Sequence, residues 1–167
     1  MSELNDLRVG LGYDVHRLAP GRRCVLGGVT LDHARGPEGH SDGDAVLHAL
    51  IDALTGAAGL DDVGSLFPDD DPRHAGADSA ALCAEVVALV RAAGFAVVNV
   101  DAVLIGDEPK LRPYRAAMRE RIAALLGVEP SRVNIKGKTT ERLGSLAGGA
   151  GVAVHAVCLL CRAAPPA

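Results

Sequence analysis

His40–Asp71, HSDGDAVLHALIDALTGAAGLDDVGSLFPDDD, is the stretch on which the rest of the chain turns. Ser41 is suited to cap a helix, and Asp44 three residues on completes a capping-box pattern. From Ala45 to Leu54 the helix is apolar almost all round, which predicts burial. One stripe breaks the pattern: Asp44, His48 and Asp52 stand four residues apart, with Thr55 seven after His48, so they share a face. Ionisable groups on a buried helix need partners, because burying them unpaired is costly. Gly56 or Gly59 ends the helix. An acidic, turn-rich segment follows, with Asp61, Asp62, Gly64, Pro68, Asp69, Asp70, Asp71 and Pro72.

Upstream, Arg8 to His16 alternates as a strand. Val9, Leu11, Tyr13 and Val15 take one face, and Gly10, Gly12, Asp14 and His16 the other. Cys24–Leu26 and Val29–Leu31 around Gly27-Gly28 read as a hairpin, and Gly36 to Gly39 as a loop. Downstream, Asp78 or Ser79 caps a second helix with Leu82, Val86, Leu89 and Ala93 on its core stripe, and Gly94 stops it. Phe95–Ile105 is a strand, and Gly106–Arg112 a polar connection. Pro113 opens a third helix with Met118, Ile122 and Leu125 facing inward, ended by Gly127. Val133–Lys138 is a short strand, Thr139–Gly151 a loop, and Val152–Cys161 an almost wholly apolar strand. The expected fold class is α+β. Residues 1–167 form a single domain, a two-layer sandwich with a four-stranded mixed sheet, helices on one face and a small hairpin.

The 167 residues are 49% hydrophobic but only 2% aromatic, so the core is built of Val, Leu, Ile and Ala. A net charge of -4 excludes a global basic footprint for nucleic acid. Apolar runs fall short of the ~20 residues of a membrane span. The leader MSELNDLRVG lacks targeting character, which predicts a cytoplasmic protein. Four cysteines do not suggest a disulfide scaffold. Cys158 and Cys161, three apart on a strand, point to opposite faces and read as structural.

Asp14 and His16 on one strand face, with His48 from the buried stripe, make two nitrogens and one oxygen. That donor set suits a catalytic zinc site with an open position. On spacing alone, the pattern is short and common, and two ordinary strand-end residues with a satisfied core histidine also account for it. His40 and Ser41 at a helix start read as an anion site or as a plain cap. The Asp61–Asp71 segment reads as a solvated turn or as a lid over sugar hydroxyls. Lys136, Lys138, Thr139, Thr140 and Glu141 offer phosphate donors and one carboxylate for a hard cation, or form a charged loop.

Taken together and in order, GYDVHRL, HSDGDAVLHALIDALTGAAGLDDVGSLFPDDDP, DEPKLRP and TTERLG resemble the 2-C-methyl-D-erythritol 2,4-cyclodiphosphate synthase family over nearly the whole chain. The resemblance implies a metal-dependent lyase of isoprenoid precursor biosynthesis. Its substrate is 4-diphosphocytidyl-2-C-methyl-D-erythritol 2-phosphate, its products the cyclic diphosphate and CMP. It implies a homotrimer with active sites between subunits. It assigns zinc to Asp14, His16 and His48, with Val15 beside them in the substrate site. His40 and Ser41 fall at the phosphate end, with His40 catalytic, and Asp62, Val63 and Gly64 at the methylerythritol hydroxyls. Phe67, Pro68, Asp69, Asp70 and Asp71 become a substrate loop. Gly106, Asp107, Glu108, Pro109, Lys110, Leu111 and Arg112 become a cytidine pocket. Thr139 stabilises the transition state beside Thr140, and Glu141 binds magnesium or manganese.

The chain departs from the family pattern at four positions. Ser145 stands where Phe is usual, Gly148 where Arg is usual, Ala150 where Glu is usual and Lys138 where a small Thr is usual. Lys138, on the same strand face as Lys136, is expected to supply part of the missing arginine's charge. Two other readings stand beside this one: a zinc phosphoesterase, and a non-catalytic trimeric nucleotide-binding protein.

Overall fold

The computed structural model describes residues 7–68, 71 and 76–163. The central helix, α1, spans Ala45–Ala58 and buries Val46, Leu47, Leu50, Ile51 and Leu54. Each such side chain contributes about 1.5–3 kcal/mol on leaving water. Asp44 itself caps α1: its side chain accepts from the amides of Val46 and Leu47. Ser41 is therefore not the cap, and no capping box forms. The helix stops at Gly59, which takes the left-handed conformation at φ 75°; Gly56 lies inside the helix.

β1 (Leu7–Pro20) is longer than the sequence suggests because it changes partner. Leu7 to Arg17 pair with β7 (Gly151–Arg162), and Leu18 to Pro20 pair with β4 (Arg35–Pro37), the segment expected to be a loop. That adds a fifth strand to the expected four. With β5 (Phe95–Ile105) and β6 (Val133–Lys138) the sheet order is β4-β1-β7-β5-β6. It is mixed: β5 and β6 run parallel, and the other pairs antiparallel. β2 (Cys24–Leu26) and β3 (Val29–Leu31) form the expected hairpin.

All helices cover one face of the sheet. α1 lies on β1, and glycines make this possible. A Cβ at Gly10 would stand 1.8 Å from the Ala53 carbonyl oxygen, and one at Gly12 1.9 Å from that of Ala49. The backbones thus touch where β1 has no side chains. On β7, Cys158 is buried and its Sγ donates to the Ala53 carbonyl, so it is structural as expected.

Beyond α1 come the one-turn α2 (Val63–Leu66), α3 (Ser79–Ala92) and α4 (Arg115–Leu126). Two details differ from the sequence reading. Leu89 of α3 is 42% exposed, and the core stripe instead runs through Leu82, Cys83, Val86, Val87 and Val90. α4 starts two residues after Pro113, and its Leu125 is only half-buried. Among the described residues, the opposite face of the sheet carries no helix. There Val9 (71% exposed), Leu11 (67%), Tyr13 and Val15 from β1 join Val157 from β7 in an open apolar surface. Among the described residues, no helix is long and apolar enough to cross a membrane.

Candidate functional site

The contact of α1 with the two glycines of β1 carries His48 to the strand. Two and four residues past Gly12 on the same face stand Asp14 and His16. Asp14 Oδ2 lies 3.1 Å from His48 Nδ1 and 3.0 Å from His16 Nδ1. One ligand atom from each residue lies within 4.8 Å of the other two, the one such group among the described residues. Packing of small residues, rather than any local motif, sets the distance between the strand pair and the helix histidine.

These three residues suit a divalent cation. Two imidazoles and a carboxylate are the donor set of an open zinc-type centre. His16 Nδ1 is buried with no aligned hydrogen-bond partner, although the Asp14 carboxylate is beside it. Gly39 leaves room over the ring: a Cβ there would come within 3.1 Å of His16 Nε2. Burial pushes the Asp14 carboxyl up, but the two histidines outweigh it and hold Asp14 at about 2. For His48, burial pulls down while the Asp14 carboxylate more than offsets it, so its net shift is upward. A proton on Nδ1 then occupies the place suited to a cation.

A cleft of about 240 Å³ opens from this group, lined also by Gly39, His40, Ser41, Val63, Gly64, Phe67 and Leu82. His40 and Ser41, expected at the phosphate end, and Val63 and Gly64, two of the three residues expected at the hydroxyls, therefore share one cleft with the three ligands. The expected helix-terminal anion site is absent, however. The α1 amides of Val46 and Leu47 are taken by Asp44 Oδ1, whose carboxylate also accepts from Gly27 and Gly28. Ser41 sits ahead of the helix, with Oγ 3.2 Å from His48 Nε2 and accepting from the Gly43 amide. Asp52, further along the α1 stripe, accepts from the Val63 amide at 2.8 Å and so fastens α2 to α1. Asp62 caps α2, accepting from the Ser65 amide, and is exposed rather than part of the cleft wall. Val15 points to the open face of the sheet. Asp69 and Asp70 lie outside the described residues, while Pro68 and Asp71 flank them without lining the cleft.

The remaining expected residues gather elsewhere. Gly106, Pro109, Lys110, Leu111, Arg112, Lys138 and Thr139 line a second pocket of about 250 Å³, joined by Arg115. Asp107, Glu108 and Glu141 line a third with Lys110, Thr139 and Gly148. Asp107 accepts from the Gly148 and Thr140 amides and from the Thr140 hydroxyl, and these bonds hold its carboxyl below the usual range. The Thr139 hydroxyl donates to Glu141. Lys136 is paired with Asp101 on the open face, so only Lys138 of the two lysines reaches a pocket. Between β1 and β6 lie β7 and β5, three strand spacings of about 4.8 Å, or roughly 14 Å. Within one chain the metal ligands and Thr139 therefore do not meet.

Sequence reasoning missed Asp42, whose carboxylate reaches Ser79 at the start of α3, and the contact of Ser79 with His48. Neither is visible as a local motif, because the contacts span 37 and 31 positions. It also missed Leu82 and Arg115, which line the first and second pockets.

Comparison with known proteins gives a consistent result. The curated 2-C-methyl-D-erythritol 2,4-cyclodiphosphate synthase of Laribacter hongkongensis is 56% identical over 155 residues, covering 93% of this chain and 96% of that one. A solved structure of 2C-methyl-D-erythritol-2,4-cyclodiphosphate synthase in a CDP-bound form superposes with a TM-score of 0.84 at 41% identity, covering 92% of this chain and 99% of that one. The bifunctional IspDF of Campylobacter jejuni superposes with a TM-score of 0.90 at 38% identity over 94% of this chain, which spans 42% of that longer protein. With residues 7–161 matched by the family's model as well, this chain belongs to the YgbB family.

Proposed function

We propose that this protein is a cyclodiphosphate synthase: it closes 4-diphosphocytidyl-2-C-methyl-D-erythritol 2-phosphate into 2-C-methyl-D-erythritol 2,4-cyclodiphosphate and releases CMP, in isoprenoid precursor synthesis. The observation that carries this is the Asp14–His16–His48 group opening into a cleft, in a chain whose full-length relatives bear that enzyme's name. In the reaction an oxygen of the 2-phosphate forms a bond to the β-phosphorus, and the bond from that phosphorus to CMP breaks. Such a transfer needs in-line placement and charge stabilisation rather than a covalent nucleophile.

A divalent ion, zinc in this proposal, held by Asp14, His16 and His48 supplies positive charge against the phosphate oxygens. The chain's own groups do the rest. His40 and Ser41 border the phosphate end, and the Val63–Gly64 backbone, held to α1 by Asp52, borders the methylerythritol hydroxyls. Gly106–Arg112 form the walls of the cytidine pocket. Glu141 would hold magnesium or manganese, which would supply charge at the diphosphate. The Thr139 hydroxyl, which donates to Glu141 in the unliganded protein, would then be released to donate toward the transferring phosphoryl group. Because Thr139 follows β6, which lies three strand spacings, roughly 14 Å, across the sheet from β1, we place it with the metal ligands across a subunit boundary. The open apolar face of the sheet supports a homotrimer, since a surface of that kind marks an association site. The enzyme works in the cytoplasm in this reading.

The test is an assay with the cytidyl substrate. Cyclic product with one CMP per turnover supports the proposal. Hydrolysed phosphate without cyclisation indicates the phosphoesterase, and tight CDP binding without CMP release the non-catalytic protein.

A further inference from the structure

His48 is held from behind by groups that neither line the cleft with it nor belong to its own helix. Its Nδ1 faces Asp14, and its Nε2 lies 2.9 Å from Ser79 Oγ. Ser79 is fully buried at the first position of α3, yet it does not cap that helix: Asp78 does, accepting from the Ala80 amide at 2.9 Å. The Ser79 hydroxyl is thus free of the usual duty of a serine at that place. It donates to Asp42 Oδ1. Asp42 is itself fixed, because its two oxygens accept from the Ser79 and Asp44 amides and its own amide donates to the Ala77 carbonyl at 3.1 Å.

The order of donors follows from the chemistry of the groups. An ionised carboxylate only accepts, and a serine hydroxyl has one hydrogen. With that hydrogen committed to Asp42, Ser79 Oγ offers only lone pairs to His48. Nε2 must then keep its proton, so that when a cation displaces the Nδ1 proton facing Asp14, the lone pair it meets lies on the side of Asp14 and His16. Ser41 Oγ, at 3.2 Å from Nε2, is the weaker second acceptor. We infer that Asp42 and Ser79 form an outer hydrogen-bond chain that selects the Nε2–H tautomer of His48 and aims Nδ1 into the metal site. They are positioning residues, and the inference rests on the metal-site reading above. Carboxylate-backed histidine ligands of this type hold metals more tightly than unsupported ones, and loss of the outer partner typically costs 10–100-fold in affinity. The chain also ties α3 to the metal site, because α3 presents Ser79 at its first turn.

The experiment measures zinc affinity of the full-length enzyme by competition with a chromophoric chelator, for wild type, Ser79→Ala, Ser79→Thr and Asp42→Asn. Melting temperatures with and without zinc, and visible spectra of the cobalt-substituted proteins, are recorded in parallel. The expected result is a 10–100-fold weaker zinc affinity in Ser79→Ala, recovery in Ser79→Thr, and a loss in the same direction in Asp42→Asn. The zinc-induced rise in melting temperature shrinks in the same order, and the cobalt spectrum of Ser79→Ala shifts. A hydroxyl of purely structural value would lower the melting temperature of the metal-free protein and leave zinc affinity and the cobalt spectrum unchanged. That result overturns the inference. Should Ser79→Ala not fold, Asp42→Asn decides: affinity within twofold of wild type refutes the chain. Wild type that binds no zinc would instead refute the metal site itself.

Discussion

The two polar regions of this molecule are built in opposite ways. The Asp14–His16–His48 group stands on β1 and α1, whose contact is locked by Gly10 and Gly12 and by a buried apolar helix face. The Lys138–Gly149 region is an exposed run off the edge strand β6, held by hydrogen bonds to Asp107. In the first, distances between ligands come from core packing, so the site exists before anything binds. In the second, the Thr139 and Glu141 side chains bond each other and, among the described residues, no other group, and the walls are open. A site that must grip a cation gains from rigid elements, whereas one that must admit and release a nucleotide gains from exposed walls.

The sharpest way to break the first region leaves its ligands untouched. Gly12→Val would drive a Cβ to within 1.9 Å of the Ala49 carbonyl oxygen, a backbone atom that cannot swing aside. We expect a loss of about 3 kcal/mol or more in denaturant unfolding, at or above the usual range for overpacking. Zinc binding should fall with it. Unchanged stability would mean that the close contact of α1 with β1 does not set the site. His48→Ala removes a ligand and keeps the fold. Activity should drop about 100-fold or more, beyond the usual cost of losing an outer-sphere partner. Metal analysis should find far less than one zinc per chain while the circular dichroism of the enzyme stays put.

Thr139→Ala probes the second region. Its turnover should fall about 10²–10³-fold, as for loss of one donor to a developing charge, with zinc content unchanged. Mixing subunits of Thr139→Ala and His48→Ala then tests whether the two regions meet across a boundary. Random trimers of two inactive parents should regain about a quarter of the wild-type rate if each site takes one region from each neighbour. No recovery from exchanged subunits, or a stable active monomer by light scattering, removes that arrangement.

A smaller effect is expected at Lys138. Lys138→Thr should raise the Michaelis constant by the equivalent of about 1–3 kcal/mol at low salt, since a charged hydrogen bond to phosphate is lost. The difference should narrow as salt is added. Acid separates the regions last. Asp14 sits at about 2 in the folded metal-free protein against an ordinary 3.8. Its contribution, about 2 kcal/mol for a shift of that size, is complete above the ordinary value and fades as pH falls toward 2. Asp14→Asn should flatten the acid side of the metal-free stability curve, which an acid titration followed by circular dichroism would show.

Read from residues alone, α1, the hairpin, β5 and β6 were legible because apolar periodicity and glycine stops are local signals. So was the face shared by Gly10, Gly12, Asp14 and His16, since alternation along a strand is geometric. The sequence also ordered the motifs well enough to identify the family resemblance and to pick Asp14, His16 and His48. It misread the start of α1: Asp44 is the cap, through the Val46 and Leu47 amides, and its buried carboxylate is held there by Gly27 and Gly28, seventeen and sixteen residues away in the chain. It missed β4, whose three residues pair only because β1 outruns β7. It put Leu89 in the core, because a helical stripe has no inside until its neighbours are placed. What the tertiary structure alone decided is the approach of α1 to β1, the Asp42–Ser79 support of His48, and the separation of Thr139 from the metal ligands. Local sequence specifies which way a side chain points along its own element. The distance between elements is set by the bulk that is missing between them, and that is a property of two segments at once.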